Sequence, residues 1–379
     1  MSPLETISKR LKIRMKNKAT IDAIYLASIV LLTVAGFLIF SSASLGLLAR
    51  DGASFRAVAV NQSLSLVIGG IVFFIMSKVD YKYLRKYAFY ILLFAVFLNL
   101  LLFIPSLTLT HGGASRWINL HFVTFQPSEF LKIAFVIYFA AWLASVKDKV
   151  ATFKLGVLPY MVIIAILGGL ILAQHDTDTL VVIAAAGIVM LFSAGARLRD
   201  MAILGAVLII LVGSVVYFRP YVRQRIVTFF HPTQDMQGAG YQIQQSLIAI
   251  GSGQITGSGF GQSVQKFKYL PEPIGDSIFA VQAEEFGFLG SISLILLFLL
   301  FIFRSIKIAS CAPDIFGGLT VIGIAAVIII ESFMNISSMI GVLPLSGMPL
   351  LFVSHGGTAL IIILAAAGVI ANISKFQKG

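Results

Sequence analysis

Charge is what this 379-residue chain has least of: Asp, Glu, Lys and Arg together make up 12% of it, against roughly 25% in an ordinary soluble domain. So little charge cannot clothe a water-facing surface, which excludes a soluble globular fold. Cysteine is rarer still. The lone Cys311 cannot close an internal disulfide, so no disulfide framework supports the fold and no redox compartment is marked. The glycine-rich "GSGQITGSGFGQS" contains neither G-x-G-x-x-G nor G-x-x-x-x-G-K-[ST], which excludes a nucleotide loop there. No Cys/His cluster has zinc-ligand spacing, and no Ser, His, Asp order marks a hydrolase.

What the chain does have is apolar length: it is 58% hydrophobic, with a mean hydropathy of +0.97. Runs of the ~20 residues that a helix needs to cross hydrocarbon recur from residue 22 onward. They predict an all-α integral membrane protein with ten transmembrane helices, near 22–44, 60–78, 87–105, 126–146, 155–173, 179–195, 200–217, 277–303, 315–336 and 350–373. The first run follows the basic "KRLKIRMKNK" but lacks a compact cleavage signature, so it is expected to remain as a span.

An even count puts both termini on one side. With the amino terminus in the cytoplasm, most Lys and Arg fall inside, as the positive-inside rule requires. The net charge of +12 therefore reflects topology and implies no nucleic-acid partner. The expected organisation is a basic cytoplasmic tail at 1–21, a membrane domain at 22–373 and a short cytoplasmic tail at 374–379. One long extracellular loop, 218–276, separates helices seven and eight; "YQIQQSLIAI" within it predicts a short amphipathic helix from Tyr241. Loops this long in compact proteins are usually functional.

Polar residues in such a chain need a reason. In "YLPEPIGDSIFAVQAEEFGFLG", Asp276 sits where an N-cap would stand, at the outer membrane boundary, and Glu272 is expected in solvent. Glu284 and Glu285 lie two turns deeper, point about 100° apart and need separate partners. In "RWINLHFVTFQPSEFLK", Gln126 and Pro127 open a helix with Glu129 in its first turn and Lys132 three residues on. Lys132 either pairs with Glu129 or points into a cavity. Arg116 and Trp117 match an interface anchor. Asp176 and Asp178 in "AQHDTDTL" are expected in a short solvated loop, too few to hold a cation unaided. "NISSMIGVLPLSGMPLLFVSHGGTAL" interrupts an apolar pattern with Gly, Pro and Ser. Such broken backbone is tolerated where it is buried in protein or lines a cavity, so Ser354, His355, Gly356 and Gly357, with Glu331 and Asn335 nearby, mark either close helix packing or a cavity wall.

Together "GASRWINL", "QPSEFLK", "YQIQQSLIAI", "GFGQSVQKFKYLPEPIGDSIFAVQAEEFGFLG" and "GVLPLSGMPLLFVSHGGTAL" resemble the SEDS family (shape, elongation, division and sporulation), which includes FtsW, RodA and SpoVE. The resemblance spans helices one to ten in order. It implies a peptidoglycan glycosyltransferase that polymerises lipid II at the outer face of the bacterial cytoplasmic membrane. The catalytic acid of the family motif falls on Asp276. Implied contacts to the undecaprenyl pyrophosphate-linked substrate are Arg116, Gln126, Glu129, Lys132, Lys266, Glu272 and Ser354. No cofactor is certain; a divalent cation, magnesium or manganese, held partly by Asp276, is the alternative to a base. Implied partners are a class B penicillin-binding protein, divisome proteins and membrane lipids. The "QK" before "YLPE" looks more like the division branch, FtsW, than the elongation branch, RodA. The family's Q-P-D-x-G-T stands here as "QHDTDT", with His175 and Asp178 in place of Pro and Gly. A lipid II flippase is the rival from another class.

Overall fold

Hydrocarbon offers no partner to a backbone amide, so segments that cross it close their hydrogen bonds internally, as helices. The computed structural model describes residues 20–48, 52–111, 114–119, 124–232, 238–267 and 269–377. The basic tail up to residue 19, Arg50, Lys268 and Lys378, which entered the charge count, lie outside the described residues. The helices in order are α1 Ala23–Leu48, α2 Gly52–Lys78, α3 Lys82–Leu100, α4 Pro127–Val146, α5 Val157–Ala173, α6 Thr177–Ser193 and α7 Leu198–Phe218. They continue with α8 Pro220–Phe230, α9 Ala239–Ser252, α10 Ile278–Ser310, α11 Ile315–Met339 and α12 Gly357–Ser374. Among the described residues, eight of these are long and apolar enough to span a membrane. The apolar α5 and α6 are shorter, at 17 residues each.

The core lies where α4, α6, α11 and α12 meet. The apolar windows of α11 and α12 are 72% buried, whereas that of α7 is 6% buried and faces outward along almost its whole length. Close approach at the centre uses missing side chains. A Cβ on Gly368 of α12 would stand 2.6 Å from the Phe73 carbonyl oxygen of α2, the small-residue contact that lets membrane helices pack backbone to backbone.

Three elements depart from the sequence pattern. A three-stranded antiparallel sheet, β1 Thr108–His111, β2 Ala114–Asn119 and β3 Thr124–Phe125, fills the connection between α3 and α4 and carries Arg116. The long loop contains α8 as well as the expected amphipathic helix, here α9. The last span starts at Gly357 and not at 350: residues 344–350 run without helix and 351–355 turn before it.

The longest helix, α10, is broken at Gly287, whose φ of 63° and ψ of −162° lie in a region that glycine reaches without strain. The break orphans backbone groups two turns into the helix, and the glycine-rich turn after α9 supplies their partners. Phe288 and Leu289 donate to the Gln254 and Ile255 carbonyls at 2.9 and 3.1 Å, while Ser258 and Gly259 donate to the Glu284 and Glu285 carbonyls, both at 3.0 Å. The outer loop is thereby clamped to the helix that begins beside Asp276. A Cβ at Gly287 would collide with the Gly257 amide and the Ile255 carbonyl. Gly287→Ala is therefore expected to destabilise the protein by more than about 1 kcal/mol, read as a lower Tm in detergent. Gly205→Ala, inside α7 at a position with open space around it, should not lower Tm.

Candidate active site

Asp276 stands immediately before α10. The helix cap is Ser277, so the expected capping role for Asp276 is corrected and its carboxylate stays clear of the helix amides. Its backbone is held firmly. Asn335 on α11 donates one amide to the Asp276 carbonyl and one to the Met348 carbonyl, both at 2.7 Å. Ser354 donates to the Gly275 carbonyl at 2.8 Å and accepts from the Leu350 amide at 2.8 Å, and His355 N–H donates to the Ile274 carbonyl at 2.7 Å. The broken segment between α11 and α12 is thus the wall against which the Asp276 turn is built. Ser354, expected at the substrate, spends its hydroxyl on backbone.

Three charged groups converge over Gly347 in that wall. A Cβ placed there would lie 3.7 Å from both Asp276 Oδ2 and Arg116 Nη1, and 3.8 Å from Arg225 Nη2. The absent side chain leaves a niche lined by one carboxylate and two guanidiniums. Burial pushes the Asp276 carboxyl up to about 7; the charges of Glu272 and Asp178 add to the rise, and Arg116 and Arg225 hold it from going higher. Glu272 itself is exposed. A carboxylate poised near neutrality beside fixed positive charge can accept a proton while its neighbours take up negative charge.

The two aspartates of the loop expected to be solvated are buried, while His175 between them and α5 is exposed. Asp176 caps α6, accepting from Thr179 N–H at 3.3 Å and from its hydroxyl at 2.8 Å, and lies 3.7 Å from Arg116 Nη1. Arg116 also donates to the His175 carbonyl at 2.6 Å. Asp178 receives Arg225 Nη1 on both oxygens, at 3.2 and 3.0 Å, and the Gly347 amide at 3.2 Å. Arg225, on α8, was not singled out from the sequence. Its only local signal is "YVRQRI", basic residues on a short helix in the functional loop.

Several expected site residues sit elsewhere. Lys132 is enclosed by Glu129 at 2.9 Å and Glu331, so its ammonium points at carboxylates and not into an open cavity. Lys266 is fully buried, 2.7 Å from Glu285 and 3.2 Å from the Ser42 hydroxyl. That enclosure corrects its assignment to the substrate. Glu284 takes different partners, Ser263 Oγ at 2.5 Å and Val264 N–H at 2.9 Å, as two side chains 100° apart must. Gln126 donates to Ser128 Oγ at 3.1 Å at the start of α4. Among the described residues, no three His, Cys, Asp or Glu side chains converge as a metal cage, and the nearest cations to Asp276 would repel another. The residues present do not fit a protein-built magnesium or manganese site.

Apolar helices of membrane-span length, with an acid and two guanidiniums gathered where one of them begins, define a polytopic membrane protein with a polar site at the end of a helix. Residues 22–379 match the family described as cell cycle proteins, FtsW, RodA and SpoVE. The chain is 39% identical over 361 residues to a probable peptidoglycan glycosyltransferase FtsW from Geobacter sp. (strain M18), covering 94% of this chain and 98% of that one. It is 35% identical over 351 residues to stage V sporulation protein E of Bacillus subtilis (strain 168), covering 93% and 96%. The chain belongs to this family, the SEDS proteins. Two solved structures share the fold. One is a chain of a peptidoglycan synthase complex studied for coordination of polymerization and crosslinking, with TM-score 0.73, 24% identity and coverage of 91% and 98%. The other is the rod shape determining protein RodA of Thermus thermophilus, with TM-score 0.69, 22% identity and coverage of 95% and 98%.

Removing one member of a buried ionic group leaves the rest uncompensated, at a cost of about 3–5 kcal/mol. Lys132→Met should accordingly lower Tm and folded yield, and Lys132→Met/Glu331→Gln should recover part of the loss, both measured by detergent size exclusion and thermal scanning.

Proposed function

We propose that this protein is a peptidoglycan glycosyltransferase of the division type, polymerising lipid II at the outer face of the bacterial cytoplasmic membrane. The observation that carries the reading is the niche over Gly347, where Asp276, Arg116 and Arg225 meet. In the membrane, α5 and α6 complete ten crossings, at about 1.5 Å per residue only slightly short of the hydrocarbon depth. Both termini then face the cytoplasm and the loop bearing α8 and α9 faces outward.

Asp276 acts as general base on the acceptor sugar hydroxyl. The proton passes to its carboxylate and the hydroxyl oxygen bonds to the donor's anomeric carbon. The bond from that carbon to the pyrophosphate oxygen breaks, with inversion, and the electron pair leaves on the pyrophosphate. Arg116 and Arg225 meet the developing negative charge from a fixed geometry, where it needs no reorganisation. Pyrophosphate leaves readily, so no second carboxylic acid is required. The relatives named as glycosyltransferases support the activity, and the structural neighbour from a synthase complex supports a crosslinking partner. The partner proposed is a class B penicillin-binding protein, within the divisome. The flippase alternative is less favoured because the charges within the spans close on one another, Lys132 with Glu129 and Glu331.

Purified protein with lipid II and the transpeptidase partner tests the proposal. Asp276→Asn should insert and bind the partner while losing polymer formation by about 10²-fold or more. Normal polymer from Asp276→Asn, or lipid II crossing vesicle membranes without polymer, would defeat it. With base function at a carboxyl held near 7, kcat/KM should rise with pH and level off above neutrality. Glu272→Gln removes a charge that raises the carboxyl and should move the rising limb to lower pH. Arg225→Gln removes one that lowers it and should move the limb higher.

A further inference from the structure

We infer that Asp178 is a positioning residue for the reaction: it holds Arg225 across Gly347 from Arg116 and thereby fixes the niche and the charge that Asp276 meets. This rests on the glycosyl-transfer reading of the site. The geometry begins at one atom. Asp178 Oδ2 accepts from Arg225 Nη1 at 3.0 Å and from the Gly347 amide at 3.2 Å, so a wall of the niche and its floor hang from the same oxygen. The two guanidiniums are held in parallel fashion. Asp176, which caps α6, stands beside Arg116 of β2, and Asp178, in the first turn of α6, binds Arg225 of α8. Two carboxylates one residue apart thus aim two arginines, from elements remote in sequence, at a single point.

Asp178 and His175 are the two positions of "QHDTDT" that depart from the resembled pattern, which has glycine and proline there. Both substituted positions touch α8. His175 lies 5.8 Å from the Tyr221 ring, centroid to centroid, and Tyr221 is one turn ahead of Arg225 on the same face of that helix. Arg225 carries a partly exposed side chain, with 28% of its surface open, while that of Asp178 is 12% exposed. An arginine on a peripheral outer helix is costly to hold in one conformation, and the charge-assisted bonds from its Nη1 to both Asp178 oxygens supply the hold. The groups bearing on the Asp276 charge are Glu272 ahead of α10, Asp178 on α6, Arg116 on β2 and Arg225 on α8; Tyr221 in turn faces Arg225. Removing the Asp178 charge takes an anion away from Asp276, which favours the ionised base, and lets Arg225 leave its place beside Asp276, which opposes it.

The experiment is the pH profile of lipid II polymerisation by the full-length chain with its transpeptidase partner. In the Arg225→Gln background, where only the lost anion counts, Asp178→Asn should move the rising limb of kcat/KM to lower pH by about one unit; with Arg225 present the freed guanidinium opposes that move and the limb should shift by less. The fold-loss caused by Arg225→Gln should be smaller in the Asp178→Asn background than in the wild type, since residues acting as one unit are not additive. Should Asn impair insertion, Asp178→Ser gives the same readout. An active Asp178→Asn or Asp178→Ser in which Arg225→Gln costs as much as it does in the wild type overturns the inference. Asp276→Asn run alongside separates the two failures. If it polymerises normally, the reading of the site falls; if it is inactive while Arg225→Gln costs the same with and without Asp178, only the positioning role falls.

Discussion

An ionised side chain buried in a membrane protein has to find an opposite charge within its own fold, because the hydrocarbon offers it nothing. Most of the polar architecture here follows from that constraint. Lys132 is bracketed by Glu129 and Glu331, tying α4 to α11. Lys266 closes on Glu285 and Ser42, tying the outer loop to α10 and α1. Each closure costs desolvation and is weak as a source of net stability. It does forbid alternative registers, since any slip would expose a bare charge. Asp276 differs from these acids: two cations flank it in a niche, and its other acidic neighbours oppose its charge. That imbalance makes it chemically usable.

Backbone irregularity is the second theme, and it serves the same end. The break at Gly287 and the unwound stretch ahead of α12 both leave polar backbone groups that a regular helix would have consumed. Their partners come from the outer loop in one case and from Asn335, Ser354 and the Asp276 turn in the other. The Asp276 turn is thus bonded to α11 and the unwound segment and continuous with the broken helix. Rigid attachment of this kind matters for a base, whose effect depends on holding its oxygen at hydrogen-bond reach of the acceptor.

Much of the fold was legible because its signals are local. Apolar runs of span length located the helices to within a few residues for α1, α4, α5 and α11, and the Gly/Pro/Ser break was visible in "VLPLSGMPLLFVSHGG". The start of α12 was placed too early because an apolar stretch can be buried without being helical, as Leu350–Val353 are. The small sheet escaped notice because its strands are two to six residues long and lie between two strong helical patterns. Asp276 was distinguished from Glu272, Glu284 and Glu285 only through the family motif. Lys266 looked available because nothing in "QSVQKFKYL" shows that a glutamate on α10 would meet it.

By itself the sequence determined that the chain is built of apolar helices of membrane-span length and which acid resembles a catalytic one. These follow from composition, run length and motif, all properties of neighbours along the chain. Only the tertiary structure decided which cations reach Asp276. Arg116 and Arg225 meet it through Asp176 and Asp178, partners dozens of residues away along the chain, and Lys132 and Lys266 are withdrawn into private ion pairs. Charge pairing is settled by distance in space, and one-dimensional patterning of an apolar chain carries no record of it.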